Sequence, residues 1–372
     1  MGLIRFEVKR VFKDKIIPFV MLAIILIVGS SSLLSKNKTS FEQETSNSMQ
    51  YNYASNLGLI KSNEADPESH AFVERLKHEN ELMEIYFEKE SNSDEKGMMI
   101  AELNILKNSL KMAQAGNESG LTIQELQQNI AILEYLIENN LTKLYEKDNS
   151  NPALYQVLDF FYNYEIYLII ASLLIAYLMS ADRRLHVVNF INSTPIGLAK
   201  LATIKFIVPF IFGFFISILP ALTIFFATLR KGLGSWNYPI VTSGNRPNLV
   251  IESLGMVLLK IVVLLFIVML LISTFIFLLT RFTGNIFLVS AAVLSLILIK
   301  NYVPEQGTFL FNYWSRIPMS YFDVAGITTS GQMYRPIIDP NISWHQGMKI
   351  EFCSLIIVVI FVVISIIKRR KI

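Results

Sequence analysis

Ser180 to Lys205 reads SADRRLHVVNFINSTPIGLAKLATIK, a charged stretch set between two strongly apolar runs. Asp182, Arg183, Arg184, Lys200 and Lys205 carry its charge, and Ser193-Thr194-Pro195-Ile196-Gly197 is a turn signal. A basic, turn-bearing break between two runs long enough to cross a bilayer predicts a partly helical loop over residues 180–202, facing the cytoplasm. Whether that holds depends on the flanking sequence.

Composition settles the class. The chain has 372 residues, 52% hydrophobic and only 17% charged, with a mean hydropathy of +0.45. That is too apolar for a soluble globular domain and points to an integral membrane protein. Cys353 is the only cysteine, so one chain can build neither a disulfide framework nor a cysteine metal site. The net charge of +3 hides a division: Lys36 to Tyr155 holds 11 Lys and Arg against 20 Asp and Glu, which leaves the rest strongly basic. An acidic part and a basic part imply two environments.

Upstream, residues 1–15 interleave Ile4, Val8 and Phe12 with Arg5, Lys9, Arg10, Lys13 and Lys15. Apolar residues at every fourth position beside a basic face predict an interfacial amphipathic helix on the inner leaflet. Residues 16–34 follow as a first span, about 19 residues, enough for a hydrocarbon core of roughly 30 Å. The small residues Ser30 to Ser32 also fit a cleaved signal peptide, but the structured basic lead-in and the later spans favour an anchor. The basic lead-in puts the N-terminus inside.

Residues 35–155 form a hydrophilic insert expected outside. Its first part, to Asn63, reads as loop or weak helix. Asp66-Pro67 then opens a helix to about Glu90, with Phe72, Leu76, Met83 and Phe87 on one face. A second helix, Gly97 to Ala115, repeats Met99, Leu103, Leu106, Leu110 and Ala113. Thr122 and Glu125 make a capping box for a third, in which Leu126, Ile130, Leu133, Ile137, Leu141 and Leu144 continue the seam. The last two are expected to pair as an antiparallel, coiled-coil-like hairpin.

Over residues 156–372 the apolar runs predict five more spans, near 160–179, 203–229, 254–280, 286–299 and 350–367. Pro209, Gly213 and Pro220 interrupt the third span, and the fifth is short. Residues 301–349, with four prolines and many aromatics, suit short helices or re-entrant pieces on the outer face. Glu165 and Lys260 are a candidate intramembrane pair, although snorkelling explains Lys260 adequately. The tail Lys368-Arg369-Arg370-Lys371 belongs inside. The fold expected is therefore an all-α membrane protein of six transmembrane helices, with an extracytoplasmic helical insert between helices 1 and 2. It would be a multi-pass protein of a bacterial cell membrane with both termini cytoplasmic.

The basic amphipathic N-terminus, the loop ending in FINSTPIGLAKLATIK, the tight turn RFTGN and the outer segment YWSRIPMSYFDVAGI together resemble the ABC-2 type family of ABC exporter permeases. The resemblance covers everything except the insert, and Asp182 stands where the family often has a glutamate. It implies a non-catalytic half-transporter that pairs with a second permease chain, as homodimer or heterodimer, and with an ABC ATPase subunit. On that reading Asp182, Arg183 and Arg184 form charge pairs at the rim of the ATPase cleft, Val187, Val188, Phe190 and Ile191 fill its apolar pocket, and Pro195 shapes the turn.

The sequence contains no G-x-x-x-x-G-K-S/T loop to cradle phosphates, and His70, His78, His186 and His345 fall in no catalytic motif. No enzyme, cofactor, metal or nucleic-acid partner is expected. The substrate class is an amphipathic peptide, lipid or drug, and the acidic insert would attract a cationic peptide ligand. The alternative is a ligand-sensing or mechanotransmission ABC membrane subunit that binds an external peptide without transporting it.

Overall fold

The computed structural model describes residues 2–34, 41–64, 66, 69–116, 121–144, 151–181, 198–242, 250–283, 285–299, 313–329 and 343–369. The described chain is mostly helical. Helix α1 (Gly2–Lys13) runs into α2 (Ile16–Leu34), and the two are separated where the Asp14 carboxylate accepts the Ile16 N–H at 3.1 Å. Such a side-chain acceptor satisfies a donor that the new helix cannot.

The insert comprises α3 (Phe41–Asn63), α4 (His70–Ser91), α5 (Glu95–Gln114) and α6 (Ile123–Glu138), each packed on the next. Helix α3 occupies sequence that reads as loop or weak helix. Its Asn and Ser have poor helical propensity, but tertiary contacts offset that: Ile60 packs with Val73 and Leu76 of α4, Tyr53 donates to Glu84 at 2.6 Å, and Asn56 donates to Asn80 at 3.2 Å. The buried face of α4 is Val73, Leu76, Asn80, Met83 and Tyr86, whereas Phe72 is exposed. Thr122 and Glu125 form the expected capping box, and those hydrogen bonds hold the Glu125 carboxyl below its ordinary value of 4.5. Helix α6 ends at Glu138; Leu141 and Leu144 lie beyond it and pack on the main buried cluster, which includes Met99, Leu133 and Leu136 of the insert. The expected opening of α4 at Pro67 lies outside the described residues.

Helices α7 (Ala153–Tyr162) and α8 (Glu165–Met179) are bent by 72° at Asn163 and Tyr164, where one straight span is expected. No proline or glycine marks that break. Helix α9 (Leu198–Thr228) runs unbroken through Pro209 and Pro220, a tolerance that apolar surroundings and neighbouring helices permit. A 3₁₀ turn (Leu229–Lys231) and a two-stranded antiparallel ribbon follow, β1 (Pro239–Val241) on β2 (Ile251–Ser253), with Ile240 opposite Glu252. Ser253 then caps α10 (Leu254–Phe282), and Asn285 caps α11 (Ile286–Leu298). The outer-segment sequence yields a 3₁₀ turn (Pro318–Tyr321) and the short α12 (Val324–Thr328). The last helix is α13 (Trp344–Arg369).

Among the described residues three helices, α9, α10 and α13, are long and apolar enough to cross a membrane, and the bent α7–α8 pair makes four if counted as one span. The apolar helices at Ile16–Ser32 and Ile286–Leu298 are short of that length. Helix α10 is the central post: 15 of its 29 residues are buried, and it packs against α8, α9, α11 and α13. Helix α13 by contrast exposes Phe352, Ile356, Ile357, Ile360 and Phe361, the surface of a helix that meets hydrocarbon. The insert shares the main core. Met99, Leu133 and Leu136 belong to the same buried cluster as α8 and α10, and the Leu144 N–H donates to the Tyr238 hydroxyl at 3.1 Å. Burial pushes the Tyr238 phenol up to about 12, against a smaller downward pull from the Leu144 backbone, so it stays a neutral bridge.

Two glycines matter to this packing. Gly234 has φ +85° and lies so close to Pro152 that an added Cβ would sit 2.9 Å from the proline ring. At Gly213 a Cβ would fall 2.3 Å from two side-chain carbons of Ile175, so α8 and α9 meet there over bare backbone. Gly213→Leu is expected to cost roughly 1–3 kcal/mol by overpacking and to lower the unfolding temperature in detergent. Adding Ile175→Ala should recover part of the loss. An unchanged melting temperature in Gly213→Leu would rule out this close approach.

Candidate functional site

The candidate loop residues Asp182, Arg183, Arg184, Val187, Val188, Phe190, Ile191 and Pro195 all lie outside the described residues. What is described is the pair of helix ends that bear them. Helix α8 closes at Met179, α9 opens at Leu198, and α8 packs along α9. The N-terminal helix braces this end. Glu7 of α1 is 5% exposed and binds two cations, Arg10 at 3.0 Å and Lys205 of α9 at 3.3 Å. Tyr177 of α8 donates to Asp14 at 2.9 Å, and Phe12 packs edge-on against Phe212 of α9 at 5.2 Å. Helix α1 and the turn that follows it therefore contact both helices that flank the loop, α9 through Glu7 and Phe12 and α8 through Asp14.

Helix α1 packs inward by a narrow face. The packed positions are Glu7 and Val11, while Ile4, Phe6 and Phe12 stay exposed beside Arg5, Lys9 and Lys13. The exposed mix of apolar and basic side chains suits a bilayer interface. The inward carboxylate is necessary because Lys205 enters the apolar bundle, its side chain only 15% exposed, and such a charge is tolerated when paired. Glu7 was legible only as one acid in a basic helix, and its role depends on where α9 passes.

At the opposite end of α10, Lys260 binds both oxygens of Glu252, at 2.5 and 2.6 Å. Its ammonium lies 5.6 Å from the centre of the Trp344 ring, and the Trp344 indole donates to the Lys260 carbonyl at 3.0 Å. The carboxylate set on Lys260 is thus Glu252 of β2, eight residues upstream, rather than Glu165. The ribbon reverses the chain just before α10 and brings Glu252 alongside, a return that no helical spacing reveals. Glu165 instead opens α8, immediately after the 72° break.

Near that break is a polar cavity of about 210 Å³, between the C-terminal end of α2, α7 and the end of α9. Ser31, Ser32, Gln156, Asp159, Thr228 and Lys231 line it. It can take polar groups of either charge. Among the described residues no group of three or more His, Cys, Asp and Glu is placed to hold a metal ion. In α13, Glu351 is fully buried with neither carboxylate oxygen hydrogen-bonded, and it too escaped the sequence reading, as the second residue of a long apolar run.

No protein-family model matches this chain, and no curated protein or solved structure gives a significant match. Helices able to span a membrane, with a polar helical insert packed onto them, define its class by physics alone.

If the Glu7 cluster holds α1, Glu7→Ala leaves Lys205 without that carboxylate in an apolar bundle, where breaking a buried pair costs roughly 3–5 kcal/mol. Proteolysis at Arg5 and Lys9 should then speed up severalfold. Glu74→Ala, which removes an exposed pair to Lys77, should change nothing there, since such pairs are worth about 0–1 kcal/mol. Equal protection of α1 in both variants would contradict the bracing role.

Proposed function

We propose that this chain is the permease subunit of an ATP-binding cassette exporter that moves an amphipathic substrate with energy from a separate ATPase subunit. In this reading it has six spans, adding α2 and α11 to the bent pair and the three long helices. Both termini are cytoplasmic, residues 35–155 face outward, and a second permease chain completes the pathway. The observation that carries the reading is the braced junction of α1, α8 and α9. A segment pushed from outside the bilayer moves spans only if its anchors are stiff, and here the helices at both ends of residues 182–197 are tied to the N-terminal segment, α9 to α1 through Glu7–Lys205 and α8 to the α1–α2 turn through Asp14–Tyr177. Closure of an ATPase against that segment would then travel into the bundle as rigid-body motion.

Two features of the sequence add support. The absence of a phosphate-cradling loop means that a nucleotide-driven cycle needs a second polypeptide. The segment itself places Arg183 and Arg184 ahead of Val187, Val188, Phe190 and Ile191, a composition suited to an apolar pocket with a charged rim.

The test replaces Phe190 and Ile191 together by Asp. The permease should still insert, with unchanged detergent stability, and the co-expressed ATPase should no longer co-purify with it. A retained complex with normal coupled hydrolysis would refute the assignment of this loop.

A further inference from the structure

Glu351 sits in α13 one turn below Gly347, which lies against the Tyr321 ring, and one turn above Leu355, 9% exposed. Its side chain is inaccessible, and neither oxygen has a hydrogen-bond partner. The lysine of the neighbouring helix, Lys260, is already held by Glu252, and Lys349 and His345 of α13 itself are exposed. A bare carboxylate in apolar surroundings is too costly to persist, so a proton or another cation must neutralise it.

The space beneath is of the opposite character. An apolar cavity of about 250 Å³ opens between α9, α10 and α13, walled by Leu355, Val359, Val362 and Ile366 together with Phe206 and Phe277. Counted from Glu351, the four α13 residues fall at i+4, i+8, i+11 and i+15, which places them on the carboxylate's own helix face. Leu355, which lines the cavity, is one helical turn from Glu351; Glu351 itself lies outside the lining, and joining the two takes a local side-chain movement.

We propose that Glu351 and this cavity form one site for a lipophilic cation, an ammonium-bearing amphiphile whose head pairs with the carboxylate and whose hydrocarbon chain fills the cavity. The proposal rests on the exporter reading only in taking this ligand to be cargo. Binding itself needs neither the ATPase nor the loop, so a failure of ATPase co-purification and a failure of this site are separate results.

The experiment uses the full chain in nanodiscs of zwitterionic lipid and compares equilibrium binding of decylammonium and 1-decanol, which share a chain length. Decylammonium should bind the wild type about tenfold or more tightly than Glu351→Gln, the order expected for a charge-assisted contact, with Glu351→Asp keeping most of the preference. Decanol should bind all three alike, and Val359→Trp, which fills the cavity, should weaken both probes. Equal binding of decylammonium to the wild type and Glu351→Gln would overturn the proposal and leave a proton as the sole occupant of Glu351. Unchanged binding of both probes to Val359→Trp would equally overturn it.

Discussion

A hydrocarbon layer offers a peptide group no hydrogen-bond partner, and the apolar part of this protein follows from that constraint. Backbone groups there close on themselves as helices, and six hydroxyls of α9 and α10 do the same within one turn, whereas the buried Ser172 of α8 has no partner. Ser217 donates to the Phe214 carbonyl, Thr223 to Leu219, Thr228 to Ile224, Ser273 to Met269, Thr274 to Leu270 and Thr280 to Phe277, all at 2.6–2.9 Å. Charges obey the same rule by pairing: Glu7 answers Lys205, and Glu252 answers Lys260. Against this background the unpartnered carboxyl of Glu351 is the acidic exception among the described residues, a group whose charge needs a proton or another cation.

The same constraint organises the two ends. Polar and charged groups collect where helices leave the apolar layer, but the ends differ in kind. At one, α1 packs on α9 and the turn after it reaches α8 through Asp14. At the other, the ribbon packs on α10, the Pro318–Tyr321 turn on α13, and α12 on α7 and α10. The insert is anchored through Leu133, Leu136 and the Tyr238 bridge. A movement of α7 or α10 would be felt in α6, which gives the acidic insert a mechanical connection to the spans whichever ligand it meets.

Periodicity made much of this legible beforehand. The long runs over α9, α10 and α13 announce themselves, because a helix that is apolar all round has few other fates. The box at Thr122 and Glu125 was readable since both partners lie within four residues. What escaped is non-local. Helix α3 is polar and helix-poor, and it is stabilised by α4, a neighbour that its own residues do not announce. The 72° bend at Asn163 and Tyr164 carries no proline or glycine, so only packing reveals it. Glu7, Glu252 and Glu351 looked like ordinary acids near span ends, and their meaning depends on which helix passes beside them. The loop from Asp182 to Pro195 stays a reading of sequence, joined to described structure only at its two ends.

In the proposed topology the insert and the ribbon are on one side of the membrane and residues 182–197 and the basic tail are on the other. Impermeant maleimide labelling in intact cells tests this directly, in a Cys353→Ser background carrying Asn92→Cys, Asn237→Cys or Lys371→Cys one at a time. Asn92→Cys and Asn237→Cys should label from outside, and Lys371→Cys only after the membrane is opened. Labelling of the tail from outside, or of Asn92 and Asn237 from opposite sides, would contradict the account.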